Sequence, residues 1–308
     1  MYPDADPGEV MDRLLRLWTP VLLYHGSYPE VPPELGGELH NVTPEQLIQH
    51  TRYLRKYVRF VPVDELVTAE KHHGLAALTF DDAYRSVHEH VAGPLIEEGV
   101  PFTIFVNGSS LEGEVLWRDK VRIVISNDWV EECEAGLPPG MKIPGLSFYK
   151  YTKDPRNDSA VVDAALTRFL DSKGALATRR PPTVDRAEAF IDSPLVTYGN
   201  HSHRHYVLSS LTKEQQREEI LRTEEVLDRI PNIRRSRVFS IPFGERKHFN
   251  EETIEVLREY GFEAAVLSRQ RLNLRRRRMD GFPLLERFMP NDDRLGPQLI
   301  QFRRLASA

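Results

Sequence analysis

Short apolar runs alternate with amphipathic stretches along most of the chain. Pro20 to His25 is a continuous apolar run and predicts a buried strand. Thr43-Pro44-Glu45-Gln46 has the form of a capping box with proline at the first helical position, opening a helix to about Tyr57. Arg59 to Val63 predicts a short strand, and Leu75 to Phe80 another, which ends in two carboxylates. Tyr84 to Glu98 has helical spacing, with Gly99 suited to its C-terminal cap. Pro101 to Val106 is a further apolar run. The repeated strand–helix–strand order predicts parallel strands joined by crossover helices.

The middle of the chain is less regular. Gly136 to Gly145 has the composition of a loop, Ser159 to Ser172 reads as a helix, and Arg179-Arg-Pro-Pro182 is a break. Residues 107–194 therefore read as a long insertion on one scaffold, with 1–308 as a single domain. Regularity then returns. Strands are predicted at Leu195–Tyr198, Arg237–Pro242, Glu263–Leu267 and Leu284–Phe288. A second capping box, Thr212-Lys-Glu-Gln215, starts a helix to about Ile230, and Asn250 to Tyr260 forms another, closed by Gly261. Six to eight strands with helices between them predict an α/β fold of the (β/α) barrel kind, whose chemistry sits at the C-terminal ends of the strands.

Composition narrows the function classes. With 41 Lys+Arg against 46 Asp+Glu the net charge is −5, which argues against a nucleic-acid binder with a broad basic surface. Cys133 is the single cysteine, so a disulfide framework and a cysteine-rich metal site are both excluded. There is no apolar stretch of membrane-spanning length, and the acidic N-terminus does not read as a secretory signal, so a cytoplasmic location is expected. A homo-oligomer remains open.

Three polar clusters fall at predicted strand ends. In Thr79-Phe80-Asp81-Asp82, adjacent carboxylates raise one another's pKa unless a cation holds them, although either could also cap the following helix. Gly199 to His205 carries three histidines, and the four-residue spacing of His201 and His205 would place both on one face of a helical turn, as paired metal imidazoles require. A histidine of this kind also serves as an ordinary core residue. With an acidic pair at another strand end, the metal reading is favoured: two His and one Asp leave coordination positions open. In Ser240 to Glu245, Pro242 and Gly244 mark a tight turn that could aim a backbone N–H into a pocket.

These clusters, in this order, resemble the polysaccharide deacetylases of the NodB-homology superfamily (carbohydrate esterase family four). Thr79-Phe80-Asp81-Asp82 resembles the first family motif, His201-Ser202-x-x-His205 the second, and Pro242-Phe243-Gly244 the end of the third. The likeness extends over roughly residues 20–290. It implies a distorted barrel, with Asp82, His201 and His205 as metal ligands and Asp81 as the general base. It further implies that the Phe243 N–H is the oxyanion donor, and that Pro242, Phe243, Gly244 and His25 lie against substrate. The implied cofactor is a divalent ion, usually zinc, and the implied partner is an N-acetylated sugar or polysaccharide intermediate. Two further readings are a deformylase or other C–N amidohydrolase of the same fold, and a carbohydrate-binding homologue with little turnover.

The likeness also has gaps. Ser240 stands where the family places an arginine that pairs with the catalytic aspartate, and the family's late aspartate and histidine are missing. Arg287 is expected to take over the arginine's role. Glu286, His248 and His25 are the candidates for the acid that protonates the amine. Trp117 and Trp129 could stack on sugars or pack in a core, and the run Arg275 to Arg278, with Arg271, could clamp an anion or form a solvated loop.

Overall fold

A computed structural model describes residues 7–35, 39–176, 182–274 and 277–306. Among the described residues there are nine strands: β1 (Val21–Tyr24), β2 (Arg59–Phe60), β3 (Leu75–Phe80), β4 (Phe102–Val106), β5 (Val196–Asn200), β6 (Arg234–Ser240), β7 (Ala264–Val266), β8 (Arg277–Met279) and β9 (Phe282–Leu285). They form one sheet in the order β1-β3-β4-β5-β6-β7-β9-β8, with β2 beside β3. Every pairing is parallel except the β8–β9 hairpin.

The sheet curls until its far side returns to its start. Leu23 donates its N–H to the Phe288 carbonyl at 2.8 Å, and the Phe288 N–H bonds to the Val21 carbonyl at 2.9 Å. This gives an α/β barrel, as the strand–helix rhythm predicts, of the distorted kind that the family resemblance implies. Alternation along each strand fills both faces. Val21, Ala77, Phe105, Val238, Val266 and Leu285 form one cluster drawn from six strands. Their neighbours Leu22, Leu78 and Ile104 turn the other way, into a second cluster shared with the covering helices.

Four predicted elements differ in detail. The first helix is Pro44–Leu54, but Thr43 makes no capping bond, because its N–H and hydroxyl both donate to the Asp292 carboxylate at 2.9 and 2.8 Å. The predicted helix 84–98 is two helices, Arg85–His90 and Ala92–Glu97, broken at Val91 (φ −118°), where Pro94 supplies no N–H to continue the ladder. Residues 201–205 form a loop and not a helical turn. The last predicted strand stops at Leu285, and Phe288 joins β1 through a separate bridge. By contrast, the helix Ser159–Ser172 matches its predicted range and Asp158 caps it. Helix Lys213–Asp228 has the predicted reciprocal capping box. No helix among the described residues is long and apolar enough to cross a membrane.

Candidate active site

Five strands end around one cleft. It is lined by His25 after β1, Asp81 and Asp82 after β3, His205 after β5, Phe243 after β6 and Ser268 after β7. The connection between β4 and β5 supplies a wall that includes Arg118, Arg122, Tyr149 and Lys153.

The chain leaves β3 through two successive residues with left-handed backbone, Asp82 (φ 65°) and Ala83 (φ 51°). That conformation costs about 1 kcal/mol or more per residue, so the surrounding packing must hold it. It removes Asp81 and Asp82 from any capping role, since the next helix begins at Arg85 and has no side-chain cap.

His201 and His205 meet through a built loop, with Ser202 and His205 at φ 61°. The loop is tied down on both sides. Asn107, at the end of β4, donates its side-chain amide to the carbonyls of His201 and Ser202, and the Asn200 side chain accepts the Ser202 N–H at 2.8 Å. The Trp117 indole N–H donates to the His205 carbonyl at 2.7 Å. The two imidazole rings then stand edge to face, 4.7 Å apart.

Hydrogen bonding fixes what His201 presents. Its Nδ1 lies 2.8 Å from the Ser240 carbonyl, which only accepts, so the proton sits on Nδ1 and Nε2 is a bare lone pair. That Nε2 lies 3.6 Å from Asp82 Oδ1, and His205 Nε2 lies 3.6 Å from the same oxygen. Asp82 Oδ1 and His201 Nε2 are buried with no hydrogen-bond partner. The ligand atoms of Asp82, His201 and His205 lie within 4.8 Å of one another. Buried acceptors that face each other are costly unless something positive stands between them. This nitrogen and oxygen donor set suits a divalent cation.

Asp81 lies beside this group and is differently held. Arg287 grips it with two parallel bonds, Nη1 to Oδ1 at 2.7 Å and Nη2 to Oδ2 at 2.6 Å. The Ser240 hydroxyl donates to Asp81 Oδ1 at 3.0 Å and itself accepts from Arg287 at 2.9 Å. Arg287 is further fixed by the Leu267 carbonyl at 2.8 Å and the Ser268 hydroxyl at 3.0 Å, and is fully buried. Burial would raise the Asp81 carboxyl, but the Arg287 guanidinium overrides it, followed by His201, and holds the group well below the ordinary carboxylate range. Asp82 has no such partner. Burial and then the Asp81 charge push its carboxyl well above the usual value, as expected of a group that needs a cation to ionise.

The three candidates for the acid separate by position. Glu286 is engaged by Arg269 and Arg277 and does not line the cleft. His248 accepts the Glu245 N–H through Nδ1 at 3.2 Å, also off the cleft, and burial lowers its pKa to about 3. His25 does line the cleft. His40 Nε2 lies 2.6 Å from the Pro290 carbonyl and must donate there. In the neutral ring, His40 Nδ1 is then an acceptor for His25 Nδ1–H at 3.3 Å, which leaves His25 Nε2 as a free lone pair. Burial holds the His25 pKa well below its ordinary value.

Phe243 also has left-handed backbone (φ 60°), and its N–H donates to no acceptor among the described residues. Pro242 and Gly244 shape that turn without lining the cleft. Gly244 (φ 61°) is required, because a Cβ there would lie 2.2 Å from the Ser268 nitrogen. Trp117 is 1% exposed and packs edge-on to Phe243 at 6.0 Å, so it supports the site from behind and offers no face to a sugar. Trp129 packs on Phe169 in the insertion. Arg275 and Arg276 lie outside the described residues, while Arg277 reaches Glu286 and Arg278 the Gly281 carbonyl. Sequence reasoning missed Arg118, Tyr149, Lys153 and His40. The spacing of Arg118 and Arg122, four apart on the helix Trp117–Ser126, was the available signal.

Residues 68–265 match the family model of polysaccharide deacetylases. No curated protein matches the chain in sequence. Among solved structures, the chain is similar to the Streptococcus pyogenes deacetylase PplD in complex with acetate (TM-score 0.55, 14% identity, covering 93% of this chain and 98% of that one). It is also similar to IcaB from Ammonifex degensii (TM-score 0.52, 19% identity, 92% and 96%) and to the de-N-acetylase from Aggregatibacter actinomycetemcomitans (TM-score 0.51, 14% identity, 92% and 99%). At these identities the likeness is one of fold. The family model spans most of the chain, from before β3 to the middle of β7, and so includes all three motif clusters: this chain belongs to the polysaccharide deacetylase family.

Proposed function

We propose that the protein is a divalent-metal-dependent hydrolase that removes the N-acetyl group from an N-acetylated sugar or polysaccharide intermediate, working as one catalytic domain with residues 107–194 as an elaboration of the barrel. The observation that carries this is the convergence of Asp82 Oδ1, His201 Nε2 and His205 Nε2 beside a carboxylate, Asp81, held ionised by Arg287.

Asp82, His201 and His205 would hold the ion, with zinc suited to this ligand set. A divalent ion, when bound, lowers the pKa of a water and polarises a carbonyl oxygen. Asp81 takes the proton from the water as it attacks the amide carbon. The Phe243 N–H donates to the oxyanion that develops there. His25 rests neutral, so the proton that Asp81 has taken from the water must pass on to it. It then hands that proton from Nε2 to the nitrogen as the C–N bond breaks, while His40 holds its other nitrogen. Water is consumed, and acetate and a free amine are formed.

The test is elemental analysis of the purified protein together with an acetate- and formate-release screen over N-acetylated and N-formylated sugars. Bound divalent metal with acetate release supports the proposal. Formate release alone would move the activity to deformylation, and metal-free protein with undiminished acetate release would overturn the metal assignment.

A further inference from the structure

Arg118, Arg122 and Lys153 line the cleft with Asp81, Asp82 and Asp119, but the cations and carboxylates are not paired one for one. Arg287 is matched by Asp81, and Arg122 by Asp119 at 2.5 Å. Arg118 and Lys153 also line the cleft, yet among the described residues neither has a carboxylate within 4.0 Å. Glu245, the acidic residue of the nearby turn, is engaged by Lys247.

Arg118 is the more unusual of the two. It is 4% exposed, donates only to neutral oxygens (Thr152 Oγ1 at 3.1 Å and the Tyr149 carbonyl at 3.2 Å), and its Nε–H has no partner. A buried guanidinium satisfied only by neutral acceptors keeps an uncompensated charge, which is costly without an anion nearby. Its Cζ lies 4.4 Å from the centre of the Tyr149 ring, with Lys153 Nζ at the same distance from that ring. Both cations lie within 5.6 Å of the centre of the Phe243 ring. They therefore stand next to the residue whose backbone N–H faces the reacting amide.

We infer that this cleft recognises an anionic N-acetylated sugar, with Arg118 and Lys153 receiving a carboxylate or phosphate carried by the reacting residue or its immediate neighbour in the chain. The inference rests on the deacetylase reading for the identity of the sugar, but the anion site stands on the unmatched charges alone. Tyr149 is the shared platform against which both cations rest. A charge-assisted pair in a partly dehydrated cleft favours the anionic over the neutral sugar by roughly tenfold or more.

The test is calorimetric binding to the metal-loaded protein of three sugars: neutral N,N′-diacetylchitobiose, a disaccharide of N-acetylglucosamine and glucuronate, and N-acetylglucosamine 6-phosphate. At least one charged sugar should bind about tenfold or more tightly than the neutral one, and which of the two it is identifies carboxylate or phosphate. Lys153→Met, at a half-buried position that should not disturb folding, should bring the preference down to within about threefold, and Arg118→Met should do the same. Equal binding of all three sugars by the native protein, or a preference that survives Lys153→Met, would overturn the inference. Binding and hydrolysis are separate readouts, so a charge preference that Lys153→Met removes supports the anion site whether or not these sugars are hydrolysed, and the metal analysis and release screen decide the deacetylase reading.

Discussion

Arg287 and Asp81, 206 residues apart in the chain, meet in a two-point ion pair with both side chains withdrawn from solvent. The pair is what keeps Asp81 available as a base, because burial at that position favours the protonated acid and the guanidinium is the largest influence against it.

Arg287→Met should therefore retain metal but move the acid limb of the pH–rate profile upward. Asp81 is ionised in the native protein across the neutral range and loses its charge only as pH falls through its depressed pKa. Without the guanidinium, burial raises that pKa, so the base is lost at higher pH. Breaking the buried pair should also cost roughly 3–5 kcal/mol of stability. Arg287→Lys should recover most of the limb, since it keeps the charge, but not full turnover, since it loses the fork. An unmoved acid limb in Arg287→Met would refute the role.

Asp82→Ala, His201→Ala and His205→Ala should each lose bound metal and activity together. Each removes one of three protein ligands from a site with no fourth to substitute among the described residues. Elemental analysis of the three variants checks this, and full occupancy in His205→Ala would remove it from the ligand set.

Asp81→Asn should keep its metal and its shape while turnover falls by about 10²-fold or more, because the amide cannot take a proton. Near-normal turnover would place the base elsewhere.

His25→Gln should lower turnover most for substrates whose departing amine is strongly basic, because those depend most on a proton donor. A sugar amide and an anilide of the same acid, compared side by side, separate the two cases. Glu286→Gln and His248→Gln, which do not face the cleft, serve as comparisons, and an equal loss on both substrates for His25→Gln would argue against its acid role.

Gly244→Ala should destabilise the protein by about 2–5 kcal/mol, combining the left-handed backbone penalty with a clash against Ser268. Urea unfolding measures it directly.

Strands buried on both faces were readable because composition alone marks them: Leu75 to Phe80 and Phe102 to Val106 are apolar but for Thr79 and Thr103. Helix Ser159–Ser172 was readable from its own residues, and the cap that the structure adds, Asp158, is local as well. What failed depends on distant partners. Thr43 has the right neighbours for a capping box, but Asp292 takes its hydroxyl. His201 and His205 have helical spacing, yet Asn107 and Asn200 hold them on a loop with left-handed residues that no spacing rule foresees. The lining residues that went unremarked, Arg118, Tyr149, Lys153 and His40 among them, sit on segments between strands and reach the cleft only through packing.

The seam of the barrel has a further meaning. Phe288 exchanges both of its backbone groups with β1, and Arg287 is the residue immediately before it. The guanidinium therefore reaches Asp81 only when the first and last strands have been joined. A chain still being synthesised can own every ligand and the base itself and still lack the guanidinium that keeps Asp81 ionised. The ionisation of Asp81 is thus tied to the joining of the two ends of the sheet.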